Sequence, residues 1–415
     1  MIADRRNRPT VVLVDALSTG ALLARRAAPD YRLIHVRSRR ELPAVFAASL
    51  PAGLFDADLT YPGSGGDVVH RIAAADPVAV IPASEFGVEA ADEIAGELGL
   101  RGNDPARSQL RRNKFHMLAA VAAAGLRTAR QYRGDDAEAV LRWRRDAGLD
   151  RIVVKPLDSA GSDAVFVCAD DDDVRAAVAT IVGKTNLMLR VNNEVLAQEY
   201  LEGDEYVVNS VSRDGTHWFT DAWISRKRTV AHRHRIYDFE ELVSPADRRL
   251  PPILAYVRGC LDALGVVNGP AHTELIETVE GPVLLETGAR LSGLAEPAAL
   301  DKCTGANQVD LTLDCYAGAG RALAARPARY EQRAAARCVN LIAHRKVAFP
   351  RARLAEELAR LPAFESARFR AGEGEPTTPT VDLNSAPGVV FFVHHDAARI
   401  QQSYEALRRL EHRVL

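Results

Sequence analysis

A chain of 415 residues, 47% apolar and 26% charged, can bury several hydrophobic cores and on size divides into two to four domains. Its 53 basic and 55 acidic residues are interspersed and nearly cancel, so no basic stripe exists to hold nucleic acid or an anionic membrane surface. Five scattered cysteines (Cys168, Cys260, Cys303, Cys315, Cys338) form no C-x-x-C pair, which argues against a disulfide framework or a zinc knuckle and fits a reducing cytoplasm.

The opening MIADRRNRPT runs into VVLVDAL, an apolar stretch too short for a signal peptide or a membrane span. Val11 to Val14 reads as a buried strand. It is followed by a helix start at Ser18-Thr19-Gly20, by strands at Arg32 to Val36 and Val78 to Ile81, and by a helix at Glu89 to Leu98. This β-α alternation implies a doubly wound parallel sheet. The Asp15 to Gly20 turn lies at a helix N-terminus, where an anion would be favoured, but it lacks G-x-G-x-x-G and gives a dinucleotide little support.

Turn formers at Gly102 to Pro105 mark a boundary, and RSQLRRNKFHMLAAVAAAGL beyond it reads as one helix ending at Gly125. Strands follow at Ile152 to Lys155, Ala164 to Cys168, Glu194 to Tyr200, Glu205 to Val211 and Trp218 to Ile224, with antiparallel pairing expected. Residues 225–245 are basic and aromatic without a clean period, as in a long functional loop or a solvated connector. Helical character resumes from Gly293 to Cys315. The last unit carries a strand near Cys338 to Ile342, a helix near Arg353 to Leu361, a strand at Gly388 to His394 and a closing helix.

The chemistry concentrates in AHTELIETVEGPVLLETGAR. Folded as a β-hairpin on a three-residue loop, Val279-Glu280-Gly281, it sets Glu274 opposite Glu286. His272 and Ile276 share the face of Glu274, and Leu284 that of Glu286. Facing carboxylates with Cβ atoms roughly 5 Å apart repel unless a cation lies between them. Hard oxygens in small number suit Mg²⁺ sharing its shell with phosphates, although a solvated acidic hairpin has the same letters.

Only six lysines occur among the 53 basic residues, so a lysine marks a place where a compact charge is useful. Lys155 ends an apolar strand before the small-residue loop Ser159-Ala160-Gly161-Ser162, which can lie close over phosphates, and Lys114 is a natural second cation. Gln198-Glu199-Tyr200-Leu201 could read an adenine edge, with Glu205 taking the ribose hydroxyls. A solvated acidic turn looks similar.

In this order the stretches RRNKFHM, VVKPLDSAGSDAV, QEYLEGDEY, NGPAHTE and LETGARLSG, from about Arg111 to Gly293, resemble the ATP-grasp superfamily of carboxylate-amine ligases. With VDALSTG added, they are closest to its L-amino-acid ligase (alanine-anticapsin ligase-like) branch. The resemblance implies an α/β chain, α+β in parts, with the ATP-grasp fold, a doubly wound N-terminal domain and a small C-terminal α/β unit. Its divisions are 1–105 (Rossmann-like domain), 106–200 (small subdomain with the phosphate loop), 201–330 (catalytic subdomain with the metal site) and 331–415 (C-terminal extension).

It also implies roles. Lys114 and Lys155, with Ser159, Gly161 and Ser162, contact nucleotide phosphates. Gln198 and Leu201 contact adenine, Glu205 the ribose, and Glu199 between them belongs to the nucleotide-binding set. Glu274 and Glu286 bind Mg²⁺, two ions in such ligases, with Mn²⁺ as a substitute. Arg290 acts on phosphate and the reacting carboxyl group beside Lys155 and Glu286.

The implied activity activates a carboxylate, an amino acid in this branch, as an acyl phosphate and joins it to an amine with release of ADP and phosphate. Arg226, Lys227, Arg235 and Gly293 are candidates for the substrate. His272 either orients the amine or is a core histidine. Rival readings keep the ATP site but load a carrier-protein thiol, phosphorylate the substrate, or only sense nucleotide. The last unit either closes the pocket or forms a homodimer interface. Two positions depart from the superfamily: Gly288 stands where many members place asparagine, and Ala164 where relatives often carry glycine.

Overall fold

Every residue of β1 (Thr10–Val14) is buried, which is the signature of a central parallel strand covered on both faces. In the computed structural model, which describes residues 7–63, 66–230 and 234–415, β1 pairs in parallel with β2 (Arg32–Arg37) and with the later strand at Pro77–Pro82. Between them comes β3 (Ala57–Thr60), which the sequence reading passes over because ADLT is short and half polar. With β4 (Pro77–Pro82) the order is β3-β2-β1-β4, all parallel.

The stretch expected as one helix after Pro105 is two elements. A 3-10 turn, Pro105–Arg111, ends where the fully buried Arg111 guanidinium meets Asp92 at 2.7 Å. Asn113 then starts a new helix, Lys114–Ala123, by accepting hydrogen bonds from the backbone N–H groups of Phe115 and His116. Asparagine is a strong N-cap, and here it outweighs the helix propensity around it. The cap puts Lys114 on the first helical residue.

A small antiparallel sheet follows, in the order β5 (Gln131–Gly134), β8 (Val195–Glu199), β6 (Ile152–Pro156), β7 (Phe166–Cys168). The largest sheet has eight antiparallel strands. Its order is β13 (Gly281–Gly288), β12 (Gly269–Thr278), β9 (Asp204–Arg213), β10 (Thr216–Val230), β11 (His234–Leu242), β14 (Ala335–Asn340), β16 (Gly388–His394), β15 (Phe364–Phe369).

Of residues 225–245, expected as a loop, 225–230 instead form the outer part of β10 and 234–242 the whole of β11, central strands of this sheet, while 231–233 lie outside the described residues. Their period was hidden because the charges are paired across strands: Arg226 with Asp204 at 2.8 Å, Lys227 with Glu205 at 2.7 Å and Arg228 with Asp238 at 3.1 Å. Similarly, the run from Gly293 is helical only over Pro297–Thr304 and Gln308–Tyr316, so Gly293 lies in a turn.

Strands from beyond residue 331 continue the eight-stranded sheet rather than closing on themselves. The final helix, Ala397–Val414, packs on one face of β14 and β16 through Ile400, Tyr404, Leu407 and Leu410. It is also pinned to β11. Arg408 pairs with Asp238 and with Glu411 at 2.7 Å, and the Tyr404 hydroxyl donates to Asp238 at 2.8 Å. No helix among the described residues is long and apolar enough to cross a membrane.

Candidate active site

Glu274 does pair with Glu286, but by a different route from the one expected. The hairpin turns on two residues, Val279 and Glu280, because Thr278 pairs with Gly281. The ladder then runs down to Leu275 opposite Leu284. Continued unbroken, it would set Glu274 against Leu285. A one-residue bulge between Glu274 and Leu275 shifts the register, and the two acids come opposite each other. Because of the bulge Leu284 does not share a face with Glu286; it packs with Leu275 in the core beneath the helix Leu250–Leu264.

Each acid already has a partner. Glu286 Oε2 lies 2.7 Å from Lys114 Nζ, which also donates to the Ser159 carbonyl at 2.8 Å and so ties the hairpin to the small-residue loop. Burial alone would raise the Glu286 carboxyl, but the charge and hydrogen bond of Lys114, with Lys155 and Arg290 adding to them, hold it well below the ordinary carboxylate range. Glu274 Oε1 faces His272 Nε2 at 3.1 Å, and His272 Nδ1 faces Asn209 Oδ1 at 2.9 Å. Asn209 in turn donates to Asp221, a fully buried acid that also accepts from Thr220 and Trp223. Both ring nitrogens of His272 are therefore engaged in positioning Glu274.

Lys155 is 7% exposed. Burial first, and the nearby Lys114 second, push its ammonium down to about 8 against the attraction of Glu286 and Glu274. In the free protein Lys155 thus loses its proton near pH 8, below the 10.5 of a solvated lysine. If it grips phosphate as a cation, nucleotide binding above that pH must take up a proton. The expected result, by calorimetric titration with ATP, is a Kd that rises by up to about tenfold per pH unit above 8. A Lys155→Met protein should bind weakly, with that slope flattened.

The loop after Lys155 is built from left-handed backbone: φ is +66° at Gly161, +59° at Ser162 and +50° at Ala164. Ala164 carries a Cβ in a conformation that glycine would adopt freely. Ser159 Oγ donates to Asp163 at 2.7 Å, and the same carboxylate oxygen accepts from the Leu187 N–H at 2.8 Å, so the loop is held from within.

Gln198 is 3% exposed on β8, and its Nε2 has no hydrogen-bond partner among the described residues. Glu199 alternates to the opposite face, where Arg130 holds its carboxylate at 3.0 Å. Its side chain is thus not directed with that of Gln198. Leu201 lies just past the strand end. Glu205 is buried, accepting from Lys227 at 2.7 Å and from the Tyr237 hydroxyl at 2.8 Å. Arg226 is committed to Asp204, and the Gly293 carbonyl accepts from Arg368 at 2.8 Å. Arg235 lies in β11, but its side chain is outside the described residues.

Glu85 and Arg112, both at the site, were missed by the sequence reading. Arg290 Nε donates to Glu85 Oε2 at 2.8 Å, and Glu85 is also paired with Arg112, which reaches Asp158 at 2.6 Å. Burial would raise the Glu85 carboxyl, yet Arg112 and Arg290 together keep it below its usual range. Gly288 explains itself here: a Cβ at that position would stand 2.7 Å from Glu85 Oε2, so the glycine makes room for the carboxylate that holds Arg290. The available signal was positional, since Glu85 follows β4 at the carboxyl edge of the parallel sheet, where open α/β sheets bind ligands.

A narrow cleft is lined by Glu85, Arg112, Lys114, Ser159, Glu286 and Arg290. A larger shallow groove between Ser244–Ala246 and Pro327–Gln332 shares no residue with it. Two lysines, a loop of left-handed backbone, a facing pair of acids and an arginine held on a carboxylate are the kinds of group that phosphoryl-transfer chemistry uses.

Comparison with known proteins agrees. Residues 150–298 match the ATP-grasp domain. The chain is 28% identical over 419 aligned positions to dapdiamide A synthase of Enterobacter agglomerans, covering 98% of this chain and 96% of that protein. Among solved structures it superposes on an L-amino acid ligase from Bacillus licheniformis with a TM-score of 0.72 at 18% identity, covering 97% of each chain. It also superposes on N5-carboxyaminoimidazole synthase from Aspergillus clavatus, in complex with ADP and its ribonucleotide, with a TM-score of 0.73 at 15% identity over 99% of this chain and all of that one. The chain thus carries an ATP-grasp domain over residues 150–298 and is similar along nearly its whole length to a protein named as a synthase.

Proposed function

We propose that the protein activates the carboxylate of an amino acid by phosphoryl transfer from ATP and passes the acyl group to an amine, forming a dipeptide or amide with release of ADP and phosphate. The observation that carries this is the convergence of Lys114 and Lys155 on the Glu274–Glu286 pair. The two end-to-end relatives, dapdiamide A synthase and the L-amino acid ligase, support the acceptor being an amine.

In this reading Lys114 and Lys155 hold the phosphates, and the backbone N–H groups from Ser159 to Ser162 close over them. The buried Gln198 amide meets adenine at the end of β8, and Glu205 meets the ribose. Arg290, oriented by Glu85, stabilises negative charge on the acyl group during both steps. No side-chain nucleophile is required, because the phosphorylated carboxylate is itself the activated species.

Glu274 and Glu286 fit Mg²⁺, or Mn²⁺, in donor chemistry. Both are carboxylates, they face each other, and Glu286 is set to stay ionised. No larger cluster of acids, histidines and cysteines stands ready for an ion among the described residues, so phosphate oxygens and water would complete the shell, as Mg²⁺ favours. When bound, Mg²⁺ supplies charge neutralisation at the transferring phosphoryl group. The five free, buried thiols support a reducing cytoplasm as its setting.

The test is a phosphate-release screen over pairs of amino acids, with mass spectrometry of the hits. A product at the summed mass less one water supports the ligase. Acyl transfer to a carrier thiol, or a stable phosphate ester, would replace it with the corresponding rival.

A further inference from the structure

Beyond Glu205, which the proposed chemistry assigns to the ribose, one face of the eight-stranded sheet carries polar groups that this chemistry leaves unused. Glu205, Ser225, Glu240, Cys338, Phe391 and Ser366 lie in a single cross-strand row running from β9 to β15. Asn340, Val389 and Arg368 form the next row on the same face. The opposite face of β14 and β16 is apolar, with Val339, Val390 and Phe392 covered by the C-terminal helix. Five side-chain atoms of these two rows are buried without a hydrogen-bond partner among the described residues: Ser225 Oγ, Glu240 Oε2, Asn340 Nδ2, Ser366 Oγ and Arg368 Nε. Glu240 is 6% exposed, Ser225 7% and Asn340 3%.

Buried polar atoms are nearly always paired, so several orphans in neighbouring positions mark a surface meant to face a ligand. This surface adjoins the candidate active site. Glu205 begins the row, and the segment Arg290–Glu296 leads from Arg290 to Arg368, which donates to the Gly293 carbonyl and lies 3.6 Å from Glu296. Leu294 packs against Cys338, Val389 and Phe391 from above.

We propose that Glu240 is a specificity residue, its free Oε2 receiving the α-ammonium of the amino acid whose carboxylate is activated, in a pocket completed by β14, β16 and β15. This rests on the ligase reading given above. The surroundings favour a cation over a neutral donor. Glu205 and Glu274 face Glu240 from β9 and β12, and Asp238 adds charge on its own strand, whereas Lys227 is already paired with Glu205, and Arg368, on the same face, donates to the Gly293 carbonyl and lies beside Glu296. Burial, then Glu205 and Glu274, push the Glu240 carboxyl up to about 8, so an arriving ammonium replaces a proton there. The assignment also has a chemical rationale. An amino acid acting as acyl donor carries its own amine, and a carboxylate against that amine keeps it protonated and unable to attack.

The experiment uses the full chain with Mg²⁺ and ATP, the amino acid giving the highest ADP release, and the same acid lacking its α-amino group. The wild-type protein is expected to prefer the amino acid at least about 100-fold in kcat/KM. Glu240→Ala should shrink that preference below about tenfold, through KM for the amino acid, with KM for ATP changed less than about twofold. Glu240→Gln, whose amide oxygen still accepts an N–H, should fall between the two, and it carries the test if the alanine variant does not fold. A wild-type protein indifferent to the amino group, or a preference unchanged in both variants, overturns the proposal. If no amino acid elicits ADP release from the wild-type protein, the ligase reading fails first and takes this assignment with it.

Discussion

Replacing Glu286 with alanine is expected to lower substrate-dependent ADP release by at least about a thousandfold while leaving the protein folded. Loss of a single preorganised group at a charge-developing centre costs about 10² to 10³ in rate, and Glu286 serves more than one function. It stands opposite Glu274 in the hairpin, and it is the counter-charge that places Lys114 over the Ser159 carbonyl. Removing it should leave a half-site for the cation and a lysine free to swing away. Folding is expected to survive because the core beneath is carried by Leu275 and Leu284, which the bulge turns away from the acids. The check is a coupled ADP assay with the melting midpoint measured in parallel. Turnover within tenfold of wild type would remove the metal role from this pair.

Arg290→Ala should reduce kcat by about 10² to 10³, equivalent to roughly 3–4 kcal/mol, with a smaller change in the KM for ATP. Arg290 spends Nε on Glu85 and Nη1 on the Leu291 carbonyl, which fixes the plane of the guanidinium and leaves Nη2 for a ligand. Lysine cannot reproduce that fork, so Arg290→Lys should recover little of the loss. Glu85 makes a useful companion. Its removal leaves Arg290 present but unoriented, so Glu85→Gln should lower kcat less than Arg290→Ala while binding ATP normally. Equal ATP affinity but unchanged kcat in both proteins would mean that Arg290 serves the structure only.

Local patterns made much of this architecture legible. Runs such as VVLV and VVKP state their burial directly, and Glu274 and Glu286 could be brought together from the letters of one hairpin. Even there the detail differed, since a tight loop and a bulge together reproduce the pairing that a longer loop would have given. What stayed hidden depends on distant partners. The charged residues of β10 and β11 look like a loop until Asp204, Glu205 and Asp238 are seen opposite them. Glu85 lies 205 residues from Arg290, and no periodicity links them. Strands β14 to β16 carry no motif: the polar positions Asn340, Ser366 and Arg368 are isolated in the sequence and come to one face only through strand pairing.

The most direct measurement follows oxygen. If the carboxylate is phosphorylated, one of its two oxygens must leave with phosphate when the amine displaces it. With an amino acid labelled with ¹⁸O in both carboxyl positions, turnover in unlabelled water should give inorganic phosphate carrying one ¹⁸O and a product amide retaining the other. Phosphate free of label, with turnover proceeding, would contradict acyl-phosphate chemistry at the Glu274–Glu286 site.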